Sequence, residues 1–155
     1  MENTNTRFGS GQSVRRIEDD KLLRGLGQFT DDIQGDADFA GHLRLCFVRS
    51  PYPHARILSV DKSAALAMPG VVAVYCGADL VAAGVKPIPG SSGFPRAGGA
   101  PGATPPRHVL AHERARFAGE SVAVVVAGNL QQARDAAEAV IVEYEELPMT
   151  VTLAG

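Results

Sequence analysis
The stretch from Gly84 to Arg107 limits what this chain can fold into more than any other: 12 of its 24 residues are Gly or Pro, and Lys86, Arg96 and Arg107 are its only charges. Proline removes a backbone donor and glycine loses the most entropy on ordering, so neither a helix nor a central strand can run through it. The chain is therefore read as two compact halves joined by a long loop. A loop of that length inside a domain is usually functional, an interaction surface, or disordered.

The 155 residues are 45% hydrophobic, enough for one domain to bury a core without staples. The 15 basic residues face 17 acidic ones, which argues against nucleic acid as a partner, because phosphate neutralisation favours a basic surplus. The longest apolar run, Val122 to Ala127, has strand length, far below the ~20 residues of a membrane-spanning helix. The first dozen residues are polar and carry no apolar signal core. A soluble, cytoplasmic protein with no membrane partner is expected. Cys46 and Cys76 lie in apolar, strand-like runs and are expected to be buried free thiols, not a disulfide.

Residues 1–20 have little apolar periodicity and are expected to form an extended arm. Asp19 to Gly25 reads as one helical turn ended by Gly25. A short extended piece, Gly27 to Asp32, runs into a turn. Strands are expected over His42–Arg49, Ala55–Asp61, Val71–Cys76, Ser121–Ala127 and Val140–Tyr144. Asp61 stands where it would cap a helix over 62–68 that Pro69-Gly70 stops, and Asn129 caps a helix with Ala133, Ala136, Ala137 and Val140 on one face. A further short helix starts at Gly77 and ends near Gly84. The result is an α/β (α+β) fold with a mixed sheet, in which two strand–helix–strand units could each cross over between parallel strands. Residues 21–150 form the domain, with the loop 84–107 inside it, and 151–155 a tail.

No segment makes a catalytic constellation. Gly25-Leu26-Gly27-Gln28-Phe29-Thr30 lacks the third glycine of a dinucleotide fingerprint and follows no strand; Gly9-Ser10-Gly11 fails in the same way. His108 and His112 share a spacing that could suit a metal, but the zincin order is absent and Glu113 follows the pair instead of splitting it. Ser59-Val60-Asp61-Lys62 matches Ser-x-x-Lys without the partner motifs of that chemistry. The acidic groups Glu18-Asp19-Asp20, Asp31-Asp32 and Glu143 to Glu146 sit where carboxylates are usually solvated rather than paired for acid–base work. Arg49 and Glu120 are different, because each adjoins an apolar strand where an unpartnered charge is costly. Each either pairs internally, the more ordinary outcome, or faces a neighbouring domain.

One ordered series of segments is shared with a known family. Ser13-Val14-Arg15-Arg16-Ile17-Glu18-Asp19, Leu22-Leu23-Arg24-Gly25 and Phe29-Thr30-Asp31-Asp32 come first. Phe47-Val48-Arg49-Ser50-Pro51 with His54-Ala55-Arg56-Ile57 and Met68-Pro69-Gly70-Val71-Val72-Ala73-Val74 follow. Arg116-Phe117-Ala118-Gly119-Glu120-Ser121-Val122-Ala123, Ala133-Arg134-Asp135-Ala136-Ala137-Glu138 and Val142-Glu143-Tyr144-Glu145-Glu146-Leu147-Pro148 complete the series. Across nearly its whole length the chain resembles the amino-terminal α/β-hammerhead domain of molybdenum hydroxylase large subunits, the group of xanthine dehydrogenase, aldehyde oxidase and aerobic carbon monoxide dehydrogenase. It departs from the family at Ser50-Pro51-Tyr52-Pro53-His54, where Ser-Pro-His-x-His is common, and at Ser121, where proline is frequent.

The resemblance implies a mixed-sheet α/β-hammerhead and a structural or interface role in an oxidoreductase that hydroxylates an aldehyde, purine or N-heterocycle, or oxidises carbon monoxide, at a molybdopterin centre. Family large subunits are several times longer, and their molybdenum contacts and catalytic glutamate lie in later domains. No catalytic, cofactor-binding or metal residue is therefore assigned here, and this chain alone is expected to be inactive and to bind no cofactor. The implied partners are the remaining molybdopterin-binding domains and the subunits carrying iron–sulfur clusters and FAD. Arg49, His54 and Glu120 are the candidate interdomain contacts. Two other readings compete: a stand-alone binding or assembly module with the same fold, and a small metal-dependent enzyme using His108 and His112.

Overall fold
The computed structural model describes residues 16–30, 32, 40–90 and 94–150. Residues 1–15 of the expected arm, including Gly9-Ser10-Gly11, lie outside the described residues, as do Asp31 and the tail 151–155. The chain divides into two units, 1–40 and 41–155.

In the first unit, α1 spans Asp19–Leu23. Gly25 ends it with φ +69°, and the N–H groups of Gly25 and Leu26 return to the carbonyls of Leu22 and Lys21 at 3.1 and 2.8 Å. That double closure is a Schellman motif, and the left-handed residue it needs is the expected glycine. Arg16–Asp19 and Asp20–Arg24 ion pairs flank the turn. Asp32 then closes a turn by accepting from the Phe29 N–H at 2.8 Å.

Among its described residues the second unit carries six strands and three helices: β1 (Arg44–Arg49), β2 (Ala55–Asp61), α2 (Ser63–Leu66), β3 (Val71–Cys76), α3 (Gly77–Ala82), β4 (Arg114–Ala115), β5 (Ser121–Ala127), α4 (Leu130–Glu138) and β6 (Ile141–Glu146). They form two three-stranded sheets, ordered β1-β5-β3 and β4-β2-β6. The α/β-hammerhead expectation holds, but every strand pair is antiparallel. The expected parallel crossovers within one mixed sheet are therefore replaced: α2 carries the chain from β2 in one sheet to β3 in the other, and α4 carries it back from β5 to β6. Length accounts for the first case, because 62–70 is shorter than the dozen or so residues a parallel crossover needs. Edge availability accounts for the second, because β1 and β3 occupy both edges of β5.

The core lies between the first sheet and its helices. Val74, Cys76, Ala123 and Val125 pack with Ala65, Ala136 and Val140. Alanines at the helix contacts let α2 and α4 approach the sheet closely, and valines on the strands fill the remaining volume. Asn129 caps α4 as expected, accepting from the Gln132 N–H at 2.9 Å. Asp61 acts one residue further from its helix than expected: Lys62 takes the cap position, and Asp61 accepts from the N–H and hydroxyl of Ser63 at 2.9 and 2.6 Å. Those two bonds hold its carboxyl below the usual range. Both cysteines are free; Cys76 is buried and Cys46 half-buried.

The Gly/Pro-rich segment begins where a second Schellman closure ends α3: Gly84 (φ +79°) and Val85 return to the carbonyls of Val81 and Leu80, each at 2.9 Å. The base of the loop is closed by an antiparallel bridge in which the Ile88 N–H donates to the Arg107 carbonyl at 2.7 Å. Beyond it the chain re-enters the core through buried Leu110 and Ala111, before the two-residue strand β4. Among the described residues no helix is long and apolar enough to cross a membrane.

Candidate functional site
Four of the shared segments, 47–51, 54–57, 116–123 and 142–148, meet at one corner, where β1 turns into β2, the 116–120 turn enters β5, and the chain leaves β6. Ser50 is its pivot and is buried at 2% exposure. Pro51 and Pro53 stop the strand here, since neither can donate to a ladder. The Ser50 N–H donates to the Glu120 carbonyl at 2.9 Å, and the Gly119 N–H donates back to the Ser50 carbonyl at 2.8 Å. Its hydroxyl accepts from the Tyr52 N–H at 3.1 Å and donates to the Tyr52 carbonyl at 3.0 Å, so this buried polar group is not left without a partner.

The three candidate contact residues all lie on this corner. Arg49 donates through Nη1 to the Gly119 carbonyl (2.8 Å) and to Ser121 Oγ (3.2 Å), and its guanidinium carbon lies 5.7 Å from the Phe47 ring centroid. Glu120 accepts from the Arg116 N–H at 2.5 Å, closing the turn that Gly119 allows with φ +89°. His54 Nδ1 lies 2.6 Å from the Pro148 carbonyl; because a carbonyl only accepts, this nitrogen carries the proton. The Leu147 N–H donates to the His54 carbonyl at 3.0 Å. Each of the three thus holds two chain segments together while its side chain stays at the surface.

Ser50 and its aromatic neighbours were not singled out from the sequence. Tyr52 and Tyr144 meet edge to face with centroids 5.2 Å apart. Burial pushes the Tyr144 phenol upward, partly offset by a hydrogen bond with Ser50. The available signal was Ser50-Pro51 directly after a strand, a sequence suited to a serine turn that bonds two residues on. Beside this corner an open trough of about 600 Å³ runs past His54, Arg114, Arg116, Phe117 and Met149.

The other candidates do not assemble into chemistry. The rings of His108 and His112 stack edge to face at 5.8 Å, and among the described residues no three His, Cys, Asp or Glu side chains could hold a metal. Ser59 donates to Glu143 at 2.7 Å while Lys62 pairs with Asp79 at 2.5 Å, so serine and lysine point to different partners. Glu145 pairs with Arg56 across the strands at 2.7 Å. Near-surface carboxylates with such partners carry cross-strand and turn bonds, not a shared proton.

An arrangement of this kind can position surfaces; it holds no nucleophile–base pair. Residues 24–148 match the family model described as aldehyde oxidase and xanthine dehydrogenase, a/b hammerhead domain. The chain is 39% identical over 143 residues to the carbon monoxide dehydrogenase large chain of Afipia carboxidovorans, covering 92% of this chain and 16% of that one. It is 39% identical over 146 residues to the nicotine 6-hydroxylase large subunit of Paenarthrobacter nicotinovorans, covering 94% and 17%. Among solved structures, quinoline 2-oxidoreductase from Pseudomonas putida 86 superposes with a TM-score of 0.72 at 42% identity, over 89% of this chain and 16% of that one. Carbon monoxide dehydrogenase from Oligotropha carboxidovorans does so with a TM-score of 0.74 at 38% identity, over 92% and 16%. The chain therefore spans about one sixth of the length of these relatives. With the family model matching 24–148 and the sheets of the second unit arranged as described, the chain belongs to the a/b hammerhead domain family of aldehyde oxidase and xanthine dehydrogenase.

Proposed function
We propose that this chain is the structural and interface domain of a molybdopterin-dependent hydroxylase, an oxidoreductase of aldehydes, purines, N-heterocycles or carbon monoxide, and that it is not catalytic alone. The observation that carries this reading is a family match over 24–148 in a chain that covers about one sixth of its relatives. We place the cofactor outside this chain. The described residues offer no three-ligand cluster, and no buried side-chain polar atom is left without a partner for a pterin to satisfy. Catalytic groups and molybdopterin belong, on this reading, to the remaining domains, with iron–sulfur clusters and FAD in partner subunits, in the cytoplasm. Residues 21–150 serve as the hammerhead, with 1–20 as an arm and 151–155 as a tail.

Arg49, His54 and Glu120 mark the corner that meets the neighbouring domains. Arg49→Ala tests this: its bonds are exposed, so the stability loss stays under about 1 kcal/mol. Recovery of the assembled enzyme in co-purification falls at least fivefold. Unchanged recovery of the Arg49→Ala, His54→Ala and Glu120→Ala variants would remove this corner from the interface. Failure of the unsubstituted chain to assemble with molybdopterin-binding, iron–sulfur or flavin polypeptides would overturn the reading as a whole.

A further inference from the structure
The two sheets differ in how they meet solvent. On the second sheet, Arg56, Ser59, Glu143 and Glu145 form cross-strand polar pairs at the surface. This is the alternation expected of an antiparallel sheet with one wet face. The first sheet lacks it. Its covered side carries Val74, Cys76, Ala123 and Val125. The register places Phe47, Val124 and Tyr75 in one row, and Leu45, Val126 and Ala73 in the next. These six alternate with the core residues and so form the opposite face; none of the six is charged, and Arg49, two residues on from Phe47, borders it. Leu45, Phe47 and Tyr75 remain 53%, 41% and 46% exposed. A strand such as β5, apolar on both sides, has the composition of one buried on both sides.

We propose that this outer face of the β1-β5-β3 sheet is the seat of an apolar, uncharged layer from the rest of the large subunit, covering Leu45, Phe47 and Tyr75. The inference rests on the interface role proposed above and adds to it an apolar surface that adjoins the Ser50 corner through Arg49. Two observations select that occupant. About five sixths of the relatives' length lies outside the matched segment, so polypeptide of the same subunit is available to cover the face. The patch is also small: its open apolar area is on the order of 300 Å², large enough to mark an interaction site but well below the ~800 Å² per partner of a stable dimer. A neighbouring domain of the same subunit avoids most of the entropy cost of association, so a small apolar patch suffices for it. Arg49, stacked over Phe47 and bonded to Gly119, supplies the polar rim.

Hydroxyl-radical footprinting tests this on the assembled enzyme, formed with the large-subunit polypeptide that carries this chain or is encoded beside it. Phe47 and Tyr75 are expected to be oxidised at least tenfold more slowly in the assembly than in the 155-residue chain alone. Phe47→Ser should cut recovery of the assembly at least tenfold, whereas Ser59→Ala, on the other sheet, should leave it unchanged. An assembly in which both rings keep their free-chain reactivity overturns the inference and leaves the proposed function standing. Protection of both rings by self-association of the isolated chain overturns it in favour of a second copy. If the chain does not assemble at all, both fall.

Discussion

Gly77 shows how tightly one residue can be fixed by its neighbours. It is the first residue of α3 and is buried, and a Cβ placed on it would collide with the backbone carbonyl of Ala111, which cannot yield as a flexible side chain would. Gly77→Ala is expected to destabilise the fold by about 2 kcal/mol, read as a lower urea midpoint at unchanged slope. Two residues on, Asp79 is pulled in opposite directions. Burial raises its pKa, but hydrogen bonds from Lys62 and from the Cys76 N–H outweigh that and hold it below the usual carboxylate range. A depressed folded pKa means the stabilisation is present above the unfolded value, roughly pH 4, and is lost as pH falls through the folded value. Asp79→Ala should therefore cost about 1 kcal/mol at neutral pH, mostly through the lost helix cap, since water screens the half-exposed pair. Denaturation curves of wild type and variant should converge as the pH falls through the depressed folded value; curves that stay parallel would assign the effect to packing instead.

Among the elements, those with local signals matched their sequence expectation best. Ala55–Asp61, Val71–Cys76 and Ser121–Ala127 have the expected bounds, and Gly25 and Asn129 terminate and cap their helices as their chemistry dictates. Sheet pairing was not legible, because period-2 patterns mark a strand without naming its neighbour. The buried pair Leu110-Ala111 was missed because it follows the Gly/Pro-rich segment and spans too few residues to show any period. Element stability rests on the caps that the sequence did show. Asn129→Ala should lower stability by about 1 kcal/mol and the melting temperature by about 3–4 °C. Amide exchange should quicken first in the opening turn of α4; an unchanged melting temperature would mean that the contacts of Ala133 and Ala136 alone hold this helix.

At the scale of the whole molecule, chemistry and interface separate. The candidate corner was partly legible: Arg49 and Glu120 stood out as charges beside apolar strands, and each has its bonds there. Ser50, the pivot, was not legible, since a buried serine differs from a surface one only through contacts distant in sequence, here with Glu120 and Gly119. The Gly/Pro-rich loop that first constrained the fold is closed at its base by the Ile88–Arg107 bridge and leaves both sheets uninterrupted. The proposed role is structural and interfacial, with the catalytic centre in the remaining domains. The most direct measurement is metal content and turnover of the 155-residue chain beside those of the assembled enzyme. Near-stoichiometric molybdenum and substrate oxidation are expected in the assembly, and neither in the chain alone; molybdenum bound one to one by the isolated chain, with oxidation of an aldehyde or purine, would contradict this role.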